Sequence, residues 1–440
     1  MMVMRPAKRS QRSDGQAGAQ PLEPTLMQAA TQATTPATMR ARMQTHTPAA
    51  RRQMLGLLLS GLVLATAAGL MARPVQAAAP LMQDNSAGKP EADIPLQTLS
   101  TGLDRPWGMA QLPNGDLLVT QKGGALLRLS ATGKTLATIT GVPAVADRGQ
   151  GGLLGIAIDP DFSAGSPWVY LSYSEPGTGK EAGLAGTSVA RGKLVGQALV
   201  DVQVIFSQQP KVEGGGHFGS RLVFGRDKTL FITTGERMKG EPSQDLMQTL
   251  GKIVRIQRDG SIPAGNPDFG KPSRPGVWSY GHRNVQGAAL HPATGELWIS
   301  EHGPQGGDEI NIARAGKNYG WPVKSYGCPY GSPVGEACRI GGGGQAPAFE
   351  EPLTTWVPLS IAPSGLTFYT GTMFPAWRGN LFSGALGGQA LWRLTLDGDK
   401  VVAREKLYGS LGERIRDVIQ AQDGALLLLT DSGKLMRLAR

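Results

Sequence analysis

The most constraining feature of this sequence is a short pattern that recurs from about residue 94 to the C-terminus. A glycine-containing turn leads into a run of alternating or continuous apolar residues, as in PNGDLLVTQ, GRDKTLFITTG, ATGELWISEHG, WRGNLFSGAL and QDGALLLLTDSG. Each instance predicts one turn and one β-strand, whereas long helical patterns are scarce. Their irregular spacing favours a radial repeat of small antiparallel sheets over a sandwich, whose size this region exceeds.

The expected fold is all-β: a six-bladed β-propeller of four-stranded antiparallel blades over residues 94–440. Second strands follow the first ones as hairpins, for example GQALWRLTL after GNLFSGA and SGKLMRLAR at the C-terminus. Pairing of that last hairpin with a strand near Leu96 to Leu99 would close the ring and cover its sheet edges. Functional residues are expected in the loops around the mouth of the central channel.

The chain before residue 94 lacks this pattern. Residues 1–50 are too poor in large apolar residues to build a core, which predicts disorder, with a true start codon further downstream as the alternative. Residues 51–77, RRQMLGLLLSGLVLATAAGLMARPVQA, combine a twin arginine, an apolar stretch and a small-residue cleavage pattern, which predicts an export signal of the twin-arginine type and a periplasmic protein. A transmembrane anchor is the alternative, because the apolar stretch approaches spanning length. Residues 78–93 are expected to be a linker.

The positive charge of the chain is concentrated in this N-terminal part. The formal net charge is +10, but residues 1–77 hold nine Lys or Arg and two Asp or Glu, a contribution of +7 that leaves +3 for the remainder. A nearly neutral propeller offers no basic surface for nucleic acid. No stable membrane anchor is expected after signal cleavage, and a monomer and a dimer both remain open.

Four histidines after the export signal are the candidates for a general base: His217, His282, His291 and His302. His217 follows three glycines in EGGGHFGSRLVF, and glycine permits close approach of a flat ligand because it has no side chain. A histidine packed at a turn explains the same spacing equally well. His291 precedes a proline in a turn and is predicted to be structural.

Two further stretches carry charged groups that suit ligands. EHGPQGGDEIN supplies Glu301, Asp308 and Glu309 with carbonyls on irregular backbone, hard oxygen ligands that suit Ca²⁺, although a solvated acidic turn is the alternative. In RIRDVI, Arg414 and Arg416 alternate on a strand-like run and so share a face. Two guanidinium groups on one face suit a ligand with several carboxylates or phosphates, although solvated surface arginines are commoner.

The two cysteines, Cys328 and Cys338, lie in the loop-like stretch GCPYGSPVGEACR. In an oxidising compartment they could form a disulfide that staples a surface loop. Two reduced thiols are the alternative, and two cysteines alone make a poor zinc site. We favour the disulfide.

Eight motifs occur in a characteristic order: LDRPWGMAQLPNGDLLVTQ, GQGGLLGIAIDPDF, GGGHFGSRLVFGRDKTLFITTGER, LGKIVRIQRDG, SYGHRNVQG, EHGPQGGDEINIARAGKNYGWP, IAPSGLTFY and RIRDVI. Together they resemble the soluble quinoprotein glucose/sorbosone dehydrogenase family, in particular its periplasmic aldose sugar dehydrogenases, over nearly the whole chain after the signal. The resemblance implies a six-bladed propeller that binds pyrroloquinoline quinone (PQQ) and Ca²⁺ at the channel mouth. It also implies an enzyme that oxidises the C1 hydroxyl of aldoses to lactones and passes electrons to an unidentified acceptor.

The resemblance assigns roles in the reaction to single residues. His217 matches the general base that takes the C1 hydroxyl proton while hydride passes to the quinone, and Glu236 matches the acid that orients it. Gln150 matches a residue near the substrate hydroxyl and the quinone. Arg283 and Asn284 match contacts to the quinone, where a cation would stabilise the charge that develops at the reacting carbonyl.

The resemblance also implies how the cofactors are held. Arg414 and Arg416 match partners of the cofactor's carboxylates. The backbone carbonyls of Gly303 and Pro304 match the ligands of the quinone-bound Ca²⁺, which acts as a Lewis acid. A further Ca²⁺ site that holds the loop is implied for three residues: Asp308, Glu309 and Tyr319.

This chain departs from the family pattern at two places. Gly387 and Gly388 stand where relatives of the glucose dehydrogenase type have a lysine, so one cationic contact is missing unless a neighbour such as Lys122 replaces it. Gly216 stands where the glucose dehydrogenases have an acid that shapes the sugar site. A broader range of aldoses is therefore expected.

Two other functions fit the same sequence. A Ca²⁺-dependent propeller lactonase would also use acidic loops at a channel mouth, but would not need Arg414 and Arg416 to face a tricarboxylate. A non-catalytic propeller that binds carbohydrate or protein is the third possibility. The joint presence of four residues argues against it: His217, Glu236, Gln150 and Arg283.

Overall fold

A computed structural model describes residues 94–440. Within them, the strands β1 to β24 form six four-stranded antiparallel sheets, each built from strands that follow one another in the chain except at the ring closure. This confirms the predicted all-β, six-bladed propeller. The predicted disordered segment 1–50, export signal 51–77 and linker 78–93 lie outside the described residues.

The first three blades follow one another from the innermost strand outwards. Blade one contains β2 (Pro106–Gln111), β3 (Leu117–Gln121), β4 (Leu126–Leu129) and β5 (Thr135–Ile139). Blade two contains β6 (Leu153–Ile158), β7 (Trp168–Pro176), β8 (Ala185–Val195) and β9 (Ala198–Ser207). Blade three contains β10 (Gly219–Phe224), β11 (Leu230–Thr234), β12 (Lys252–Ile256) and β13 (Val277–Tyr280).

The last three blades complete the ring. Blade four contains β14 (Val285–Leu290), β15 (Leu297–Glu301), β16 (Asp308–Ile312) and β17 (Thr354–Trp356). Blade five contains β18 (Pro363–Phe368), β19 (Leu381–Ala385), β20 (Ala390–Asp397) and β21 (Lys400–Leu407). Blade six contains β22 (Ile415–Gln420), β23 (Leu426–Thr430), β24 (Leu435–Leu438) and β1 (Leu96–Ser100).

The ring closes between the two ends of the described chain, as the sequence predicts. Strand β1 pairs antiparallel with β24, with Leu96 opposite Leu438 and Gln97 opposite Arg437. This pairing gives blade six its outer strand, so the N-terminal strand and the C-terminal hairpin depend on each other. Closure of the ring covers edges that an open array would expose.

The continuous apolar runs in the sequence are the second strands of the blades. Strands β3, β11, β15, β19 and β23 are buried at every residue. Each is covered on both faces by neighbouring blades, so no alternation with polar residues is needed. Burial of one leucine side chain in such a layer contributes roughly 1.5–3 kcal/mol.

Tight turns connect these strands where the sequence places glycine. Gly115 in PNGD and Gly424 in QDGA have φ of 89° and 88°, a backbone conformation that favours glycine. Six short 3₁₀ helices lie in the described connections: Phe162–Ala164, Gly179–Glu181, Glu241–Ser243, Glu336–Cys338, Pro375–Trp377 and Gly409–Leu411. Between residues 94 and 440, no helix has the length and apolar character needed to cross a bilayer.

One long connection, residues 313–353, joins β16 to β17. A disulfide links Cys328 to Cys338 within it, with a Cα–Cα distance of 5.2 Å, which confirms the favoured pairing. Cys328 forms an antiparallel bridge with Gln305, just after β15. Asn318 forms a parallel bridge with Tyr280 at the end of β13. These bridges hold the connection against the loops of blades three and four.

Candidate active site

A cavity of about 440 Å³ lies where the innermost strands of the six blades converge. Every blade contributes to it through its innermost strand or the residue just before that strand. The lining residues are Trp107, Lys122, Gly149, Gln150, Leu154, Phe218, Gly219, Gln286, His302, Ala362, Leu386, Arg414, Arg416 and Asp431. A cavity of this size is typical of small-molecule and cofactor sites.

A recurrent β-bulge positions several of these side chains. The pairing of each innermost strand with its neighbour shifts register near the start of the strand, in all six blades. Trp107, Gln286 and Arg416 lie within these irregularities and line the cavity. A bulge re-aims a side chain that regular alternation would direct elsewhere, and bulges are common next to active sites.

Cationic side chains dominate one part of the cavity. Arg414 and Arg416 both bind Asp431, with Nε–Oδ distances of 2.9 and 2.8 Å, so the structure brings the predicted arginine pair together. Burial raises the pKa of Asp431, but the charge of Arg416 and hydrogen bonds from both arginines outweigh it and hold this pKa below its ordinary value. With Lys122, the cations outnumber the one lining carboxylate, which suits an anionic ligand.

His217 and Glu236 form a buried hydrogen-bonded pair beside the cavity. Nδ1 of His217 bonds to Oε1 of Glu236, and the other carboxylate oxygen of Glu236 accepts the backbone N–H of Gly240 at 2.6 Å. The backbone N–H of His217 donates to Oε1 of Gln150 at 2.9 Å. His217 immediately precedes Phe218, which lines the cavity.

Electrostatics favour a neutral imidazole and an ionised Glu236. Burial lowers the pKa of His217, the hydrogen bond with Glu236 opposes this, and the charges of Arg283 and Arg237 lower the pKa further. Burial raises the pKa of Glu236, but His217, the N–H of Gly240 and Arg283 hold it below its ordinary value. Because Nδ1 donates to the carboxylate, the lone pair of the ring is at Nε2.

The glycines before His217 pack two loops together, and Gly214, Gly215 and Gly216 are not among the residues that line the cavity. The carbonyl of Gly215 accepts the N–H of Gln150 at 2.6 Å, and a Cβ at Gly149 would collide with that carbonyl. The two loops that carry Gln150 and His217 therefore touch backbone to backbone. Gly219, after His217, lines the cavity directly.

Arg237 binds the backbone of the same loop, a role that the sequence did not predict. Its buried guanidinium donates to the carbonyls of Gly214, Gly216 and Ala185, and its Cζ lies 3.7 Å from the ring centroid of Phe218. The available signal was its position in TTGER, directly after Glu236. Its hydrogen bonds fix the backbone on both sides of the segment that leads to His217.

Two predicted cofactor contacts carry buried N–H groups that lack a hydrogen-bond partner in the described part of the chain. Arg283 donates to the carbonyl of His302 at 3.2 Å and to the hydroxyl of Tyr330 at 3.0 Å, while Nδ2 of Asn284 points to no acceptor. Nε of Arg283 also lacks a hydrogen-bond partner among residues 94–440. A buried unsatisfied donor costs about 1–3 kcal/mol. Neither residue is among those that line the large cavity, and Arg283 lines the smaller void with Glu301 and Glu309.

The predicted calcium ligands lie in two different environments. Both oxygens of Asp308 are occupied by donors within the protein: the N–H groups of Gly303, Ile361 and Ala362 and the hydroxyl of Ser360. The phenol of Tyr319 accepts the N–H of Arg314 and donates to the carbonyl of Ile312. Asp308 thus accepts four hydrogen bonds, whereas Glu309 accepts two, from Nδ2 of Asn311 at 3.0 Å and Nε2 of Gln345 at 2.7 Å. Backbone carbonyls and Glu309 are therefore the better candidate ligands.

Glu309 fits a cation better. It is buried next to Glu301, and burial together with that neighbouring charge raises the pKa of Glu309 to about 8. Glu301, Gly303 and Glu309 line a void of about 10 Å³, room for one water or ion. In the described part of the chain, no three His, Cys, Asp or Glu side chains form a metal-binding group, so a Ca²⁺ ion here would depend on backbone carbonyls.

The other three histidines have separate positions. His282 is buried, with Nδ1 3.0 Å from Glu301 and Nε2 2.9 Å from Ser279. His291 accepts the N–H of Thr294 at 3.0 Å in its turn, as predicted for a structural histidine. His302 lines the cavity, but burial and the charge of Arg283 lower its pKa to about 3. Of the four histidines, His217 has the carboxylate partner beside the cavity.

Comparison with known proteins identifies the family. The glucose/sorbosone dehydrogenase family profile matches residues 103–437. The chain is 42% identical over 356 residues to the aldose sugar dehydrogenase YliI of Escherichia coli K12, covering 79% of this chain and 93% of the relative. The crystal structure of the soluble aldose sugar dehydrogenase of E. coli in the apo-form superposes with a TM-score of 0.73, covering 79% of this chain and 99% of that chain at 42% identity.

A PQQ-bound aldose sugar dehydrogenase from Streptomyces coelicolor also superposes, with a TM-score of 0.64 and 32% identity, covering 80% of this chain and 99% of that chain. The family profile spans most of the chain, and the six blades, the ring closure and the ordered motifs agree with it. The chain therefore belongs to the glucose/sorbosone dehydrogenase family.

Proposed function

We propose that this protein is a PQQ- and Ca²⁺-dependent aldose sugar dehydrogenase that oxidises the C1 hydroxyl of aldoses to lactones. The observation that carries the proposal is the His217–Glu236 pair beside a cationic cavity. The E. coli relative is named an aldose sugar dehydrogenase, and the S. coelicolor relative is a PQQ-bound form of such an enzyme.

The residues around the cavity fit PQQ. Arg414, Arg416 and Lys122 would hold its carboxylates, because guanidinium and ammonium groups form charge-assisted hydrogen bonds with them. The unpartnered N–H groups of Arg283 and Asn284 would bind its quinone oxygens. When bound, the cofactor supplies the acceptor for the hydride that leaves C1.

His217 removes the proton that must leave together with this hydride. Its Nε2 carries the lone pair, so the C1 hydroxyl gives its proton to Nε2 while the bond between C1 and the hydroxyl oxygen becomes the carbonyl of the lactone. The ionised Glu236 stabilises the resulting imidazolium and keeps the ring in the reactive tautomer. Gln150 positions His217 through its backbone N–H.

Calcium would bind near the same loops. The carbonyls of Gly303 and Pro304 would hold the ion that acts as a Lewis acid on the cofactor. Glu309 and the carbonyl of Tyr319 would hold a second, structural ion, where a positive charge offsets the burial of the carboxylate. Asp308 would then support the loop through its hydrogen bonds without contacting the ion.

The proposal extends to location and specificity. Residues 51–77 would direct export, by a twin-arginine-type signal, to the periplasm, where the Cys328–Cys338 disulfide is stable. Glycine at 216 leaves the sugar site without the acid of the glucose dehydrogenases, which supports a broad range of aldoses. The electron acceptor is a separate partner, and a monomer or a dimer fits the proposal.

The test is reduction of an artificial dye by the purified protein with a panel of aldoses, without additions and then with PQQ and Ca²⁺. We expect turnover that depends on both additions and that EDTA during reconstitution prevents. PQQ binding without turnover of any sugar would show that the substrate assignment is wrong. Absence of PQQ binding would overturn the proposed function.

A further inference from the structure

An exposed aromatic side chain lies next to the proposed catalytic centre. Tyr330 is 68% exposed, although large aromatic side chains are usually buried for most of their surface. Its hydroxyl oxygen accepts a hydrogen bond from Nη2 of Arg283 at 3.0 Å, and Cζ of Arg283 lies 5.9 Å from the centroid of its ring. The tip of the ring is thus anchored on a buried cation while the ring itself stays in solvent.

Arg283 connects Tyr330 to the base. The carbonyl of Arg283 accepts the backbone N–H of Glu236 at 3.0 Å, and Glu236 binds the ring of His217. Nη1 of Arg283 donates to the carbonyl of His302 at 3.2 Å, and His302 lines the cavity. The positive charge of Arg283 also lowers the pKa of His217. Tyr330 is therefore linked to the cavity lining through Arg283, and to the ring of His217 through Arg283 and Glu236.

The loop around Tyr330 is held on both sides. The disulfide between Cys328 and Cys338 closes it, and Cys328 exchanges two backbone hydrogen bonds of 3.0 Å with Gln305. The side chain of Gln305 accepts the N–H of Gly331 at 2.9 Å and donates to the carbonyl of Ser332 at 2.6 Å. An exposed side chain that only filled space would not need a loop held in place by a disulfide and hydrogen bonds.

This arrangement suits a sugar. One face of a pyranose presents C–H groups, which pack on an aromatic ring, and a ring already held in place loses little conformational entropy on binding. We propose that Tyr330 is the aromatic platform on which the pyranose ring of the aldose rests while its C1 hydroxyl faces His217. This inference rests on the proposed function.

The experiment compares Tyr330→Ala and Tyr330→Phe with Val334→Ala, a control in the same disulfide loop, where Val334 is 45% exposed. For the holoenzyme we expect Tyr330→Ala to raise KM for aldoses about ten-fold, with kcat within about two-fold. Tyr330→Phe keeps the ring and should stay within about three-fold of the wild-type KM. Val334→Ala should match the wild type.

A second readout does not depend on turnover. Calorimetric binding of 1,5-anhydroglucitol, a pyranose without a C1 hydroxyl, should weaken about ten-fold in Tyr330→Ala and stay unchanged in Val334→Ala. Unchanged KM and unchanged analogue binding in Tyr330→Ala would overturn the platform, as would equal effects of both alanine variants. A wild type that binds the analogue through Tyr330 but oxidises no aldose would refute the proposed function and retain the platform.

The disulfide supplies an independent check. The double variant Cys328→Ser/Cys338→Ser frees the loop without removing the ring, so KM should rise in the same direction as in Tyr330→Ala, by a smaller factor. PQQ binding, followed by titration, should stay within about two-fold of the wild type in all these variants. A variant that lost PQQ binding together with sugar binding would contradict a role confined to the sugar.

Discussion

Arg221 on β10 and Asp417 on β22 form an ion pair, Nη1–Oδ1 2.8 Å, that joins blade three to blade six across the central channel. Both side chains are buried. The other oxygen of Asp417 accepts the N–H of Met109 in blade one, and Nε of Arg221 donates to the carbonyl of Gln286 in blade four. One ion pair thus connects four of the six blades below the cavity.

Removing one partner of this pair should destabilise the protein strongly. Arg221→Met leaves Asp417 buried without its cation, and breaking a buried pair in this way costs about 3–5 kcal/mol. Urea unfolding measures the loss. The matched control is Arg314→Met, because Arg314 pairs with Asp399 at the surface and such pairs contribute at most about 1 kcal/mol. Equal changes in the two variants would contradict a structural role for the channel pair.

Loss of the base should abolish turnover while the cofactor site stays intact. His217→Gln removes the group that accepts the proton, and general-base catalysis typically contributes 10²–10⁴-fold. We expect kcat to fall within roughly this range and PQQ affinity to change by less than about three-fold. Dye reduction and PQQ titration of the same preparation measure the two quantities. His291→Gln, in a distant turn, is the control and should retain activity.

The pH dependence should follow the pKa of His217. Burial lowers this pKa, and the base acts in its neutral form, so kcat/KM should rise with pH to a plateau, with a midpoint below the ordinary value of about 6.5. Glu236 raises the pKa of His217 through its hydrogen bond and charge, so Glu236→Gln should move the midpoint further down and also reduce kcat. A midpoint that moved upwards would contradict this pairing.

Arg237 should lower the pKa of His217, whereas Glu236 raises it. Its charge lowers the pKa of His217, and its hydrogen bonds hold the loop, so Arg237→Gln should raise the midpoint of the pH profile and reduce kcat. Arg255→Gln is the matched control, since Arg255 is also largely buried but pairs with Asp227 near Trp278. If the midpoint stayed at the wild-type value, Arg237 would be a purely structural residue.

Removal of Arg414 and Arg416 should distinguish a quinoprotein from a lactonase. Arg414→Ala/Arg416→Ala removes both guanidinium groups that would hold the cofactor carboxylates, so PQQ affinity should fall by more than about 100-fold, because each charge-assisted hydrogen bond contributes about 1.5–3 kcal/mol. A lactonase would keep its activity in the same variant. Arg437→Ala, which breaks the surface pair with Asp423, should leave PQQ binding unchanged.

Lys122 should supply the cationic contact to the cofactor that is missing at Gly387 and Gly388. It lines the cavity, so Lys122→Met should weaken PQQ binding about ten-fold, the effect of one lost charged contact. Gly387→Lys in that background should restore part of the affinity, provided that the backbone of Ile361, 3.3 Å from a Cβ there, shifts by a few tenths of an ångström. PQQ titration at low and high salt checks both variants. Unchanged affinity in Lys122→Met would show that the cation is dispensable.

Much of the fold was readable from local patterns. The turn-plus-strand repeat predicted the blades, and the terminal hairpin predicted closure by β1 and β24, because short apolar runs and glycine turns are properties of short segments. The short spacing of Cys328 and Cys338 within one loop-like stretch favoured their disulfide. The site was only partly readable: the sequence singled out His217, Gln150 and the arginine pair, which stay predicted site residues, whereas it did not single out Asp431, Arg237 or Tyr330.

The missed residues share a physical reason. Asp431 follows β23 and looks like an ordinary turn acid, and Arg237 looks like a surface charge until its three carbonyl acceptors are in place. The hydrogen bonds that Asp308 accepts could not be predicted from the sequence either, since their donors lie up to 54 residues away. Such partnerships depend on contacts between loops, for which the local sequence carries no signal.

The sequence by itself determined the strands, their turns, the order of the blades and the ring closure, since these follow from the periodicity of apolar residues and the conformational freedom of glycine. Only the tertiary structure decided which charges meet at the channel mouth. A bulge in every innermost strand re-aims the side chains there, and closure of the ring brings Arg221 to Asp417, 196 residues apart. Electrostatic interactions act over distances in space, and the folded ring sets those distances.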